Sequence, residues 1–549
     1  MFTTLLVPLL LAQGPGLTAA VNDPLSHGTL GDALLSLDEA IRVANGTLLP
    51  TALSAGEQAR LTGTGPLLDS IVIDAMVTPV ITLQNPLTDF TGPAGIHHHV
   101  EIMGMAMVGM PMPVIQGGNQ PRVFTFRTYN VGLHELRIVG GQIAVDARMP
   151  APTSPSSHMA ELMHCEFAGQ TTAAVRAHGT GLDESMVMLE HCEFENMPLA
   201  FLIDDQTAGG MVMIEAERVH FDGVVLGCRV LEGGAGANMS MFNLFRSTFM
   251  NGTTLAEKRR QPNSTNQFMF RIVHSDIVCS GNVLDIEGGA NGLTMVHHHH
   301  SDFTAGSGQK AFWVYPRTAE FDVHGSEMVF DGDVAIAANL ASMRIWQQNN
   351  VYRNGTVTLD VDGALPNLLW NHYENCTIDV PATARSPVVV RSSELANTNV
   401  NGGSFLAPIT LQGCARSGGA VAGFASETQA ASGPFLGKTA VSPAEPSVGT
   451  SVQLSTDLPY GIGLVWDFAI SYPRPVTTQE PVRFYGDPAT VVVLPALVLF
   501  QSTMTVPIPN TAALAGLEFY VQGIALPLLG QPSAPAYYLP RGQLVWLQP

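Results

Sequence analysis

Leu162-Met-His-Cys-Glu-Phe-Ala-Gly169 returns further along the chain as Leu189-Glu-His-Cys-Glu-Phe-Glu-Asn196, with Leu, His, Cys, Glu and Phe recurring in place. Carried onward from the shared Phe, the recurrence gives Phe167, Phe194, Phe221, Phe249, Ile277, Phe303, Phe330, Tyr352, Tyr373 and Val400, at nearly even steps that shorten only around Tyr352 and Tyr373. Ile138 with Gly140 and Ile102 with Gly104 extend it upstream. Gly or Asn, which tolerate a left-handed turn, follows most of these residues two places later, as at Gly169, Asn196, Gly223, Asn251, Gly332, Asn354, Asn375 and Gly402.

A unit this small, with short strands and no helical period, cannot bury an apolar face alone, whereas stacked copies bury a continuous one. A leucine-rich repeat would need a dense Leu-x-x-Leu-x-Leu ladder, which this chain lacks. Strand alternation points the residues five and two places before each ladder aromatic inward: Leu162 and Cys165, Leu189 and Cys192, Leu244 and Ser247, Ile272 and Ser275. The expected fold is therefore all-β, a right-handed parallel β-helix of about 10–12 rungs with about 4.8 Å between rungs. Phe167, Phe194, Phe221 and Phe249 should form one buried column, and Cys165 and Cys192 should be free buried thiols.

Ser36-Leu-Asp-Glu39 is a capping box that opens a short helix through Ala40-Ile-Arg-Val-Ala-Asn45, a helical cap for the open end of the coil. Leu37-Asp-Glu-Ala-Ile-Arg-Val-Ala-Asn45, Asp69-Ser-Ile-Val-Ile73, Ile81-Thr-Leu83 and Val100-Glu-Ile-Met-Gly104 together resemble the start of secreted bacterial pectate-lyase-like β-helix proteins. The resemblance covers residues 30 to 415 and implies a fold rather than an activity. Past Cys414, a stretch rich in Gly, Ala and Ser reads as a linker or a loose final turn, and the remainder as antiparallel strands between Pro and Gly turns. Val506-Pro-Ile-Pro-Asn510 and Leu514-Ala-Gly-Leu517 are similar to a small C-terminal β-module found on many large secreted bacterial proteins. The expected division is a signal peptide over 1–20, the cap over 21–66, the β-helix over 67–414, a linker over 415–449 and a β-sandwich module over 450–549.

A net charge of −21 with lysine only at Lys258, Lys310 and Lys438 argues against nucleic acid or anionic membrane as partners. Met1-Phe-Thr-Thr-Leu-Leu-Val-Pro-Leu-Leu-Leu-Ala12 is too short to span a bilayer and reads as a secretory signal, although no Lys or Arg precedes its apolar run. A secreted or cell-surface monomer is expected. Six cysteines in 549 residues are too few for a disulfide scaffold and lack metal-ligand spacing.

His99, His164, His191, His274 and His300 stand three places before ladder residues. Consecutive residues on a strand face opposite ways, so runs such as His297 to His300 cannot supply four ligands to one ion, and the column reads as a side-chain ladder at a turn with no metal. One place before the ladder, facing outward, are Glu101, Glu166, Glu193, Asp276 and Asp302, with His220 at the equivalent position. Stacked carboxylates repel unless a proton, a charged His220 or a cation such as Ca²⁺ relieves them. Retaining glycosidases hold two carboxyl groups about 5–5.5 Å apart, close to the rung spacing. Glu166, Glu193 and His220 are thus the candidate catalytic residues, and Glu101, Asp276 and Asp302 candidate ligand-binding residues; a solvated acidic face is the structural alternative. Lys258-Arg-Arg260 reads as a solvated loop. No complete polygalacturonase-like or pectate-lyase-like catalytic set is present, so a non-catalytic protein that contacts an extracellular polysaccharide or cell-surface component is expected, with a polysaccharide lyase or glycoside hydrolase as the alternative.

Overall fold

A computed structural model describes residues 16–27, 31–63, 65, 67–93, 99–107, 109–128, 131–148, 157–178, 184–205, 211–232, 239–259, 266–287, 293–315, 320–326, 328–338, 344–348, 350–362, 366–369, 371–391, 393–428, 439–443, 446–456, 464–471, 492–499, 503–527 and 543–548. The fold is all-β, and long parallel sheets dominate it, as in a parallel β-helix. The chain divides into two compact units, Met1–Val296 with Phe303–Phe321, and His297–Asp302 with Asp322–Pro549. Among the described residues no helix is long and apolar enough to cross a membrane.

In the first unit the chain visits three parallel sheets in turn. Val131–His134, Arg137–Gly140 and Ile143–Arg148 make one circuit; Ser157–Met163, Glu166–Ala168 and Ala173–His178 make the next, in register with it. Glu184–Glu190, Glu193–Glu195 and Leu199–Asp205 follow in the same way. Alternation along each strand sends one set of side chains inward: Leu162, Leu189, Leu244 and Ile272 from the first sheet are all buried. From the second sheet, Phe167, Phe194, Phe221 and Phe249 stack with centroid separations of 4.9, 5.3 and 5.5 Å, and the column continues to Ile277.

Upstream the column runs Ile138, Ile115, Ile81. Ile102 does not belong to it, because Val100–Met105 lies in the first sheet, where Ile102 pairs with Ile71 and Leu133. In the second unit Phe330, Tyr352 and Tyr373 stack at 5.3 and 4.8 Å, but the next register partner is Leu395, with Val400 on the third sheet beside Ile378. Parallel pairing also continues past Cys414: Ala415–Ser417, Val421–Gly423 and Ala425–Thr428 each add a strand, so the expected linker starts too early.

From Val131–His134 onward the first-to-second sheet turn takes two residues, as at Glu135-Leu136, His164-Cys165, His191-Cys192, Arg218-Val219, Arg246-Ser247 and His274-Ser275, whereas in the two circuits before it the strands are separated by residues 75–79 and 106–113. In those six two-residue turns the leading residue has φ between 50 and 54°, in the left-handed region, and the second is buried. The histidine column therefore has a backbone cause, since His is among the residues enriched in that region. His164 and His191 stack ring on ring at 4.8 Å. His99 is outside this set because it precedes a first-sheet strand.

The helix Leu37–Ala44 starts with the expected capping box: Glu39 N donates to Ser36 Oγ at 3.3 Å and Ser36 N to Glu39 Oε2 at 2.9 Å. Its Ala40, Ile41 and Ala44 are buried, and it packs on Leu17–Val21 and Leu68–Asp74. Residues 1–15 lie outside the described residues, while Leu17–Val21 forms a strand parallel to Leu68–Asp74 with Ala19 buried. Near the C-terminus, Thr439–Ser442, Ser451–Thr456 and Thr503–Pro507 form one antiparallel sheet; Leu464–Ser471, Val492–Leu499, Glu518–Pro527 and Gln543–Trp546 form another. Val441, Val452, Leu454, Val521, Val545 and Leu547 make one buried cluster.

All six cysteines are free, and Cys414 alone is not buried. Burial pushes the Cys279 thiol up to about 12 and those of Cys192 and Cys228 well above their usual range. Only thiolate reacts. In the native protein alkylation at neutral pH should therefore reach Cys414 far faster than the other five, whereas denaturation without reductant should make all six available. Mass spectrometry that found any pair unmodified after denaturation would contradict the free-thiol assignment.

Candidate functional site

The outward column of the second sheet brings Glu166, Glu193 and His220 together as register partners on successive strands. Arg137 stands one rung before them, with Nη1 3.0 Å from Glu166 Oε2 and Nη2 3.5 Å from Glu195 Oε2. A guanidinium thus supplies the relief for which the sequence suggests a proton, His220 or Ca²⁺. The Glu166 carboxyl is still held above its usual range, chiefly by burial, with Arg137 opposing and Glu193 and Glu195 adding to the shift. His220 is exposed and shares a 2.5 Å hydrogen bond with Thr248 on the following strand. Asp276 comes next after Thr248 and is exposed. Asp302 opens the strand Asp302–Thr304 and is half-buried. Glu101 lies elsewhere: it is on the first sheet, opposite Ser70 and Gly132, where a 3.1 Å contact with His99 holds its carboxyl below the usual range.

A second constellation, on the outward face of the third sheet, escapes the sequence reading. Register places Asp146, Arg176, Leu202, Arg229, Glu257, Asp285 and Trp313 in one column. His178 and Asp204 are register partners two residues further along. A signal for it exists: Arg229, Glu257, Asp285 and Trp313 are evenly spaced, and their step equals the one from Phe221 to Phe249 in the Phe column.

The face is densely paired. Asp146, with no side-chain exposure, accepts from Arg122 Nε at 2.8 Å and Arg148 Nε at 2.6 Å. Arg176 pairs closely with Asp204. Arg229 Nε is 2.6 Å from Glu257 Oε1, and Arg259 reaches Glu257, Asp285 and Glu287 at 3.5 to 3.7 Å. Lys310 Nζ is 3.3 Å from Asp285 and 4.3 Å from the centre of the Trp313 ring. Lys258 is not in a solvated loop: it ends the strand Thr254–Lys258, is buried, and its Nζ donates to the Glu287 carbonyl at 2.9 Å. Six of the 25 Lys and Arg residues (Arg122, Arg148, Arg176, Arg229, Arg259 and Lys310) share this face of an acidic protein.

Exposed ion pairs contribute at most about 1 kcal/mol, and buried ones about break even against apolar residues of the same volume. Stability alone does not account for such a face. Its chemistry suits a polar ligand: Asp146 Oδ1 and His178 Nε2 are buried, 3.6 Å apart, and neither makes a hydrogen bond among the described residues. Burial, foremost, lowers the proton affinity of His178, leaving a neutral imidazole at neutral pH. A carboxylate oxygen accepts hydroxyl protons, a neutral imidazole nitrogen accepts or donates according to its tautomer, and the guanidinium groups donate.

No protein-family model matches the chain, and no curated protein matches it.

Proposed function

We propose that the protein is exported and binds an extracellular or cell-surface polysaccharide along the outward face of the third sheet in its first unit, without catalysing a reaction. The observation that carries this proposal is the column Arg229, Glu257, Asp285, Trp313 on consecutive rungs, with Asp146, Arg176 and Asp204 before it. Rungs repeat at about 4.8 Å, a distance comparable to the advance of an extended sugar chain per ring. Carboxylates accept from sugar hydroxyls, guanidinium groups donate to ring and carboxylate oxygens, and an indole offers a flat apolar surface.

The architecture that goes with this function is a right-handed coil, the hand almost always taken by parallel strand crossovers. The helix Leu37–Ala44 is its cap, and the two C-terminal antiparallel sheets are a small sandwich. Because Ala19 is buried in a paired strand, a leader in this scheme ends before Leu17.

Calorimetric titration against neutral and uronic-acid polysaccharides tests the assignment. Trp313→Ala should weaken binding at least tenfold, or about 1.4 kcal/mol, with an unchanged melting curve. Equal affinity in wild type and variant rejects the site. A hydrolase or lyase is favoured by one observation, the buried pair Asp146 Oδ1 and His178 Nε2, neither of which makes a hydrogen bond among the described residues; release of reducing ends or of an unsaturated, ultraviolet-absorbing product from the same polymers would establish it.

A further inference from the structure

The outward face of the first sheet, unused by the proposal above, carries a column of thioethers. Register aligns Met159, Met186, Met213, Met241 and Met269 on five consecutive strands. Their neighbours in sequence, Ala160, Val187, Val212, Ile214, Phe242, Phe268 and Phe270, are buried in the core, so the methionines point away from it. Even so, Met213 is only 8% exposed and the other four are half-buried. Met213 Sδ is turned toward a polar neighbour, with Asn243 Nδ2 3.7 Å away.

Leu, Ile or Val would cover such a face equally well, and the β-branched ones fit strands better. What methionine adds is a soft, polarisable sulfur. Thioethers select Cu(I) over harder ions, and a metal–sulfur bond is about 2.3 Å for a first-row ion. Two sulfurs on opposite sides of such an ion are then about 4.6 Å apart, close to the rung spacing of about 4.8 Å. Adjacent rungs therefore space the residues of the column at about the sulfur–sulfur separation of a two-coordinate Cu(I) site. Hard-ion chemistry has no comparable support, since among the described residues no three His, Cys, Asp or Glu side chains are placed to hold a metal ion. Thiols do not compete strongly in the folded protein, because five of the six are buried and all three of Cys192, Cys228 and Cys279 are held protonated by burial.

We propose that the methionine column Met159, Met186, Met213, Met241 and Met269 on the outward face of the first sheet is a binding site for soft monovalent cations, Cu(I) in the first place and Ag(I) as its stable analogue.

The full-length protein would be titrated with Cu(I) under anaerobic conditions against a chromophoric Cu(I) chelator, in parallel with the variant Met186→Leu/Met241→Leu, which leaves no two methionines of the column on adjacent rungs. Leucine keeps the volume and apolar character of methionine, so the fold should persist. Wild type should withdraw at least one Cu(I) per chain from the chelator, and the double variant should bind at least tenfold more weakly. Undiminished binding by the variant would place the metal outside the column and overturn the proposal, as would failure of the wild type to compete. A second measurement does not depend on the variant folding. In protein labelled at the methionine ε-methyl carbons, Ag(I) should shift a subset of the methyl resonances at one equivalent, and unmoved resonances at saturating Ag(I) would refute the site.

Discussion

Phe194→Ala should lower the stability of the protein by about 3–5 kcal/mol, the range for truncating a large side chain in a core that cannot collapse around the gap. Phe194 is fully buried, stacks on Phe167 at 4.9 Å and on Phe221 at 5.3 Å, and meets the edge of Phe201 at 5.0 Å. Those rings hang from strands fixed by ladder hydrogen bonds on both sides, so none can move into the void without leaving its register. Because each rung contacts only its neighbours, the damage should also be local, opening the coil near residues 167 to 221 before the rest. Urea denaturation of wild type and variant measures the difference, and a loss below about 1.5 kcal/mol would mean that the column relaxes, contrary to its close packing.

Asp146→Ala should cost about 2–3 kcal/mol. The carboxylate is completely buried and accepts from two guanidinium groups, so its removal leaves Arg122 and Arg148 facing each other with Arg176 on the neighbouring rung. Breaking a fully buried pair costs about 3–5 kcal/mol, and a hydrogen bond to a charged group is worth about 1.5–3 kcal/mol. The lower range applies because Arg122 and Arg148 keep 35% and 22% of their side chains in water. The comparison with Asp146→Ala/Arg148→Ala separates loss of contacts from stranded charge: the double variant should recover part of the stability. A double variant that is less stable by the sum of both single losses would show that the guanidinium groups do not interact through Asp146.

The fold is legible in the sequence wherever a residue type is confined to one strand position. Phe at 167, 194, 221 and 249, with a tight turn upstream of each, marks the second sheet because only one position per circuit has that neighbourhood. Ile102 and Val400 are misplaced for the converse reason. Every circuit holds three short apolar strands, and an aliphatic residue beside a Gly fits any of them; counting residues does not reveal which sheet has been reached. The charged pairs of the third sheet are hidden when acidic and basic residues are read along the chain, where Arg229, Glu257 and Asp285 are far apart, rather than across strands. The candidate column Glu166, Glu193, His220 emerges from reading across strands, but Arg137 does not, since the step from Arg137 to Glu166 is longer than the step from Glu166 to Glu193.

The three corners of the coil are unequal, and this bears on how such a chain can diverge. From Glu135 to His274 the corner after the first sheet is held at two residues with a left-handed first member, while nearer the N-terminus the same corner spans residues 75–79 and 106–113. The corner from the third sheet back to the first also varies, from residues 127–130 in one circuit to 149–156 and 259–266 in others. Length added at that corner changes no strand register. Whole circuits can be duplicated or lost with the ladder intact, while in the middle of the coil the longest connections lie at the seam between the strands that bear the ionic face and those that bear the methionines. Descendants of one ancestral repeat would thus differ most along that seam and least at the histidine turns.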